Sequence, residues 1–185
     1  MHMYGGGQMI NLERDVDAIQ IPEGTRLRLE KGHPVYIMQV LGGMFTVETE
    51  AGFLARIDGR DADAIGQEIP PERKVPDASE NKSIEEHVWE QLRTCYDPEI
   101  PVNIVELGLI YEVKVSEFEP GGHRVDVQMT LTAPGCGMGE ILKQDIETKL
   151  LEIGDVKVAN VEIVFDPAWE AAMMSEAARL QLGMM

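Results

Sequence analysis

The feature of this sequence with the clearest chemical potential is a cysteine between two glycines, in the segment TLTAPGCGMG at residues 130–139. The alternating pattern of a strand ends at Thr132, and a helical pattern begins near Gly137. Cys136 is therefore predicted to lie at a helix N-terminus, where free backbone N–H groups and the helix dipole favour the thiolate. The alternative is that Cys136 packs as a small core residue, as free cysteines often do.

The reactions open to this thiolate are limited by the residues around it. No arginine follows Cys136 closely, as a thiol phosphatase requires, and the sequence has no C-x-x-C motif of a thioredoxin site. His87 and His123 are predicted to be plain surface residues, so the histidine base of a cysteine hydrolase is not evident. Two cysteines and four scattered histidines match no zinc pattern. A lone thiolate suits transient handling of a soft metal or cluster.

A second group of candidate residues lies in the segment CYDPEIPVNIVELGLIY at residues 95–111. Two prolines fix a loop that carries the carboxylates of Asp97, Glu99 and Glu106. The alternative is a helix end followed by a solvated turn, because the residue before a proline avoids the helical conformation. Loops that display fixed polar groups often carry function. Cys95 could be a second ligand, but it continues the apolar stripe of the preceding helix, so we expect it in the core.

The elements that position these two segments follow a mixed α+β pattern. Ser83 and Glu86 form a capping box that opens a helix, and a hairpin, a second helix, a third strand and a final helix follow. The order α-β-β-α-β-α predicts a two-layer sandwich with the helices on one face of the sheet. Because Asp97 ends the first helix and Cys136 starts the second, we expect the two loops to meet at one end of the sheet.

Two details of the last elements are also predicted. The apolar parity of the third strand switches between Val158 and Val161, which indicates a bulge or bend near Asn160. Asp166 and Pro167 are typical of an N-cap and a first helical position, so the final helix is predicted over residues 169–182.

The chain before this pattern divides into two further parts. Residues 10–66 contain short strands separated by glycine turns, which predicts a small β-rich domain, either a barrel or a meander. Residues 67–82 hold three prolines and many charges, which are typical of a linker without regular structure. The α+β domain is then predicted over residues 83–185.

Charge excludes several classes of partner. The net charge is −17, with ten acidic against six basic side chains in residues 1–66 and 23 against ten in residues 67–185. Such a surface repels nucleic acid and anionic lipid, and no apolar run is long enough to span a membrane. The first residues lack the pattern of a secretory signal, so we expect a cytoplasmic protein. The acidic face either only keeps the protein in solution or docks a basic protein partner.

Taken together, the segments DPEIPVNIVELGLIY and TLTAPGCGMG resemble the metal–sulfur cluster assembly domain shared by SufT and PaaD proteins. Residues 14–24 and 55–66 also resemble the first domain of SufT proteins. The resemblance implies an accessory factor in iron–sulfur protein maturation rather than an enzyme, with Cys136 as the family cysteine. Asp97, Glu99 and Gly108 match other signature positions.

For this chain, the resemblance implies that Cys136 contacts the metal of an iron–sulfur cluster and that Asp97 and Glu99 shape the site. One cysteine cannot hold a stable cluster, which usually takes four thiolates. A bound cluster would therefore be transient and shared with a second copy, a partner or a small thiol. Implied partners are scaffold or carrier proteins, apo-clients and a homo-oligomer. The alternative is an acidic protein–protein adaptor without metal contact.

Overall fold

The structure, a computed structural model, describes residues 7, 9–73, 81–97, 100–135 and 137–184. Its internal contacts divide the chain into two compact units, one reaching Lys74 and the other starting at Val75. The chain is of the mixed α+β class, as predicted. Within the described ranges, no helix combines the length and the apolar character needed to cross a bilayer.

The first unit is built on a six-stranded antiparallel sheet with the strand order β1-β4-β5-β6-β2-β3. Its strands are β1 (Met9–Asn11), β2 (Val16–Ile21), β3 (Arg26–Leu29), β4 (Pro34–Leu41), β5 (Met44–Thr49) and β6 (Leu54–Asp58). In β5 every second side chain is buried, as expected when one face of a strand covers a core. A 3₁₀ segment, Gly59–Ile65, follows β6 and adds Ala62 and Ile65 to that core.

Part of the predicted linker belongs to the first unit. Pro71–Arg73 forms a short 3₁₀ turn, and the side chain of Arg73 is almost fully buried. Its Nε donates to Oδ1 of Asp58 at 2.8 Å, because a buried guanidinium needs a carboxylate partner. The expectation that residues 67–82 contain no regular structure is therefore wrong at this turn. The domain limits remain a prediction.

The described part of the second unit contains three helices and a three-stranded sheet. Its elements are α1 (Ile84–Leu92), β7 (Ile110–Glu117), β8 (His123–Met129), α2 (Gly139–Leu151), β9 (Val156–Ile163) and α3 (Glu176–Gln181), with a 3₁₀ turn at Ala171–Met173. The strands β7 and β8 pair antiparallel, and β8 and β9 pair parallel. Val125, Val127 and Met129 of β8 share one core with apolar residues of α1 and α2. This sheet and these helices fix where the two candidate loops begin and end.

The final part of the chain differs from the single helix predicted over residues 169–182. Met174 is extended and buried, and Ser175 starts a separate helix, since its side chain accepts from the Ala178 amide. Asp166 and Pro167 precede neither helical segment directly, so their predicted capping role is wrong. Burial of Met174 interrupts the helix, and the sequence pattern contains no sign of this.

The predicted bulge in β9 is also displaced. The pairing with β8 shifts between the pairs His123–Val156 and Arg124–Val158, and it is regular at Asn160. Ala159 rather than Val158 packs against the core. The position at which the core-facing side chains of β9 change from one alternation to the other is therefore Lys157, three residues before the predicted position.

Candidate functional site

Of the three predicted site residues, the structure describes one. Asp97 lies in the loop after α1 and is buried, with 9 % of its surface exposed. Cys136 and Glu99 lie outside the described residues. The structure therefore establishes the helices, strands and loops on either side of these two residues.

The loop that carries Asp97 starts from a well-defined helix. The capping box of α1 is confirmed, because Ser83 and Glu86 bond reciprocally. The bond that the Ser83 amide donates lowers the pKa of the Glu86 carboxyl. Val88 and Leu92 are fully buried. Cys95 is confirmed as a core residue, with 3 % exposure and its Sγ 3.5 Å from the Gln91 carbonyl oxygen.

Short backbone bonds fold the Asp97 loop back on itself. Tyr96 and Asn103 form an antiparallel bridge, and the Ile104 amide donates to the Cys95 carbonyl at 2.9 Å. The Asn103 side chain accepts from the amides of residues 105 and 106. Such an Asx turn satisfies amides that would otherwise be unpaired. Asp97 thus sits in a closed loop held at both ends.

The far end of this loop reaches the start of the cysteine segment. The Thr130 amide donates to the Leu109 carbonyl at 2.8 Å, and Ile110 pairs with Met129. Residue 109 immediately precedes β7, and residue 130 immediately follows β8. The Asp97 loop and the cysteine segment therefore leave the sheet at the same end. Contact between Asp97 and Cys136 remains a prediction.

The expectation that the end of α1 meets the start of α2 is wrong. The end of α1 contacts α2 at Lys149, whose Nζ donates to the Thr94 carbonyl at 2.9 Å. Lys149 lies ten residues after Gly139, or about 15 Å along the helix at 1.5 Å per residue. The sheet, and not the helix ends, brings the two loops to a common end.

The residues around Cys136 open a 13-residue helix. Gly135 adopts φ +80°, a conformation that glycine tolerates best. Met138, the N-cap of α2, is almost fully buried, and no capping bond from its side chain is present. The first amides of a helix lack intrahelical partners and attract negative charge. Met138 and Gly139 start α2, and the position of the Cys136 thiolate relative to the first amides of this helix remains a prediction.

Two further observations concern side chains that could take part in chemistry. His87 is buried at 8 % exposure, and its Nε2 has no hydrogen-bond partner among the described residues, so its predicted surface position is wrong. Over those same residues, no group of three or more His, Cys, Asp or Glu side chains is arranged to hold a metal ion.

Sequence reasoning missed two residues that hold the frame together. Lys149 is spaced three residues after Ile146 on the apolar stripe of α2, and a lysine at that spacing could have indicated a buried polar bond. Trp169 donates from its indole nitrogen to the Leu107 carbonyl at 2.7 Å. No local signal in the sequence indicates that partner, 62 residues away.

The second unit, with the Asp97 loop and the start of the cysteine segment at one end of its sheet, is a small α+β domain. The sequence profile of a family described as "Iron-sulfur cluster assembly protein" matches residues 85–163. Two curated relatives match over about half of this chain and nearly their whole length. An Fe-S protein maturation auxiliary factor from Porphyromonas gingivalis is 44 % identical over 54 % of this chain and 90 % of its own.

The second of these relatives, the Fe-S protein maturation auxiliary factor SufT of Staphylococcus aureus, is 42 % identical over 47 % of this chain and 94 % of its own. A crystal structure of a domain of unknown function from Bacillus anthracis covers 55 % of this chain and 93 % of that one, with 31 % identity and a TM-score of 0.48. Through its second unit, the chain belongs to the iron–sulfur cluster assembly protein family and is of the SufT type.

Proposed function

We propose that this protein is an accessory factor in iron–sulfur protein maturation that helps to deliver or install clusters through the thiolate of Cys136. The observation that best supports the proposal is the bond between Thr130 and Leu109, because it ties the two family segments to one end of the sheet. Relatives that match this chain are named as maturation auxiliary factors. In this proposal Asp97 and Glu99 shape the site beside the thiolate.

The cluster is cargo and not a resident cofactor of this chain. A stable cluster usually takes four thiolates, whereas the sequence has two cysteines, and Cys95 is committed to the core. The remaining ligands must come from a second copy, a scaffold or carrier protein, an apo-client or a small thiol. The protein would act as a non-catalytic transfer factor in the cytoplasm.

The domain division is part of the same proposal. We infer a β-rich domain at residues 10–66, a linker at 67–82 whose Pro71–Arg73 turn is held by the first unit, and the assembly domain, a two-layer sandwich, at 83–185. The separation of internal contacts into two compact units supports this division. The acidic surface of the second part would contact protein partners, since its charge opposes binding to nucleic acid or anionic lipid.

The test replaces Cys136 with Ser in cells that lack the native protein and measures the activity of iron–sulfur enzymes. Serine keeps the shape, but its hydroxyl is a hard ligand that stays protonated at neutral pH. We expect loss of rescue with a normal melting temperature. Full rescue by Cys136→Ser would reject the thiolate mechanism and favour the acidic adaptor.

The matched control is Cys95→Ser. A buried hydroxyl costs about 1–3 kcal/mol when it finds no partner. Here the Gln91 carbonyl lies within reach of the Sγ position, so we expect a cost near the lower limit. Rescue by Cys95→Ser, together with loss of rescue by Cys136→Ser, would separate the chemistry of the thiol from the stability of the fold.

A further inference from the structure

The segment that follows the family match contacts the family's own signature loop. The match ends at residue 163, and we call residues 166–182 the C-terminal strap. Hydrogen bonds between described residues join the strap to residues 101–111, among them Trp169 Nε1 to Leu107 O at 2.7 Å, Tyr111 Oη to Pro167 O at 2.8 Å, Ser175 N to Glu106 O at 2.9 Å and Gln181 Nε2 to Pro101 O at 3.0 Å.

The strap is anchored in the core of the second unit. Met174 and Ala178 are buried at 4 % and 1 % exposure, and Trp169 packs against the same core. Ser175 caps α3 by accepting from the Ala178 amide. Because these residues are fixed by packing, the strap can hold the loop in place rather than follow it.

The loop leaves space for the strap at Gly108. A Cβ atom at this position would lie 2.2 Å from the Met173 carbonyl oxygen, and the residue adopts φ +74°. Both conditions require glycine. At the glycine that matches the family signature, the strap backbone therefore passes too close to the loop for a side chain.

The strap supplies hydrogen-bond donors to the turn at residues 103–109, which is otherwise bonded within the loop. Within the loop, the carbonyl of residue 103 accepts from the amide of residue 107, that of 104 from 109, and that of 105 from 108. The next two carbonyls, of Glu106 and Leu107, accept from the strap. Buried backbone carbonyls need such partners. The carbonyl of Leu109 then accepts from Thr130, the first residue of the cysteine segment.

We propose that the strap is a positioning element for cluster handling and that Trp169 is its principal positioning residue. The Trp169 indole holds the Leu107 carbonyl in place. The same turn ends at Leu109, whose carbonyl accepts from the Thr130 amide, so the turn also positions the start of the segment that carries Cys136. This inference rests on the proposed function, because it assigns the turn a role in that function.

The test compares Trp169→Phe with Trp89→Phe in the full chain. Both tryptophans are partly buried against the same core, and Trp89 lies on α1 with the Arg93 guanidinium 6.0 Å from its ring. Each substitution keeps an aromatic ring, but only Trp169→Phe removes a bond to the loop. The loss of one neutral hydrogen bond should increase local opening about 5-fold.

Three measurements are made on each variant: amide hydrogen exchange of residues 107–109 and 130, the alkylation rate of Cys136, and rescue of iron–sulfur enzymes in cells lacking the native protein. For Trp169→Phe we expect faster exchange at these amides, unchanged exchange at Ile146 in α2, an altered alkylation rate and reduced rescue. For Trp89→Phe we expect none of these local effects. Tyr111→Phe, which removes a strap bond from the loop side, should resemble Trp169→Phe.

The outcomes distinguish this inference from the proposed function. If Trp169→Phe and Trp89→Phe give the same exchange, alkylation and rescue, the strap has no positioning role, whatever Cys136→Ser does. If Trp169→Phe speeds exchange uniformly over the whole unit, its role is general stability, and the inference is overturned. Full rescue by Cys136→Ser would reject the proposed function. Faster amide exchange confined to residues 107–109 and 130 in Trp169→Phe would still support control of the loop by the strap.

Discussion

Lys149 of α2 and Thr94, two residues beyond the end of α1, are joined by two hydrogen bonds. The lysine Nζ lies 2.9 Å from the Thr94 carbonyl oxygen and 3.0 Å from its hydroxyl. The lysine is 2 % exposed, which is rare for this residue type. The pair fixes the point from which the Asp97 loop leaves the helices.

Replacing Lys149 with Met should destabilise the second unit. Methionine keeps the apolar stem of the side chain but leaves the Thr94 carbonyl without this donor, a loss of about 1–3 kcal/mol. Urea denaturation followed by tryptophan fluorescence would measure it, since Trp89 and Trp169 both lie in the second unit. Lys143→Met, on a more exposed face of α2, is the control. Equal stability of the two variants would contradict a bonding role for Lys149.

The pair formed by Asp58 and Arg73 predicts acid sensitivity of the first unit. Burial raises the pKa of Asp58, but hydrogen bonds from Arg73 and Arg60 outweigh it and lower the pKa from 3.8 to about 2. A lowered folded-state pKa stabilises the fold above the unfolded value and loses that effect as the pH falls through the folded value. Stability of the first unit should therefore fall between about pH 4 and pH 2.

Hydrogen exchange of peptides from β5 and β6 would report this loss, because both tryptophans lie in the other unit. Asp58→Asn should weaken the pH dependence and remove the carboxylate that binds the buried Arg73 guanidinium, at a cost of about 3–5 kcal/mol. Asp63→Asn, at an exposed ion pair with Arg14, should leave exchange in β5 and β6 nearly unchanged. An undiminished acid transition in Asp58→Asn would assign the effect to other carboxylates.

Replacing Gly108 with Ala should cost more than the same change at Gly183. Both glycines have positive φ, +74° and +71°, so both variants carry backbone strain of about 1–2 kcal/mol. Only at Gly108 would the new Cβ meet backbone atoms, whereas nothing lies within 4 Å at Gly183. The displaced strap should add about 1–3 kcal/mol. Equal urea midpoints for the two variants would show that the strap moves aside freely.

Proteolysis tests the predicted linker. Trypsin should cut the native chain first within residues 67–82, as expected for a segment rich in proline and charge between two domains. It should spare Arg73, whose side chain is buried against Asp58. In Asp58→Asn the bond after Arg73 should become a cleavage site. Early cleavage within either unit, identified by mass spectrometry, would contradict the two-domain division.

The sequence alone determined the features that depend on neighbours close along the chain. The capping box of Ser83 and Glu86 and the apolar stripe that ends at Cys95 were both confirmed. Periodicity and capping involve residues three or four positions apart, so a single strand or helix contains the whole signal. The resemblance of the two segments at residues 97–111 and 130–139 to the family was likewise confirmed, since each segment is contiguous in the sequence.

The hydrogen-bond partners that join polar groups from distant segments depend on the tertiary structure. Lys149 bonds to Thr94 across 55 residues, and Trp169 bonds to Leu107 across 62. The bulge at Lys157 and the break before α3 likewise follow from register and burial against other elements. A buried donor or carbonyl requires some partner, but which residue supplies it depends on where the packed elements place each group. In the same way, the pairing of β7 with β8, rather than the helix ends, brings the two family segments to one end of the sheet.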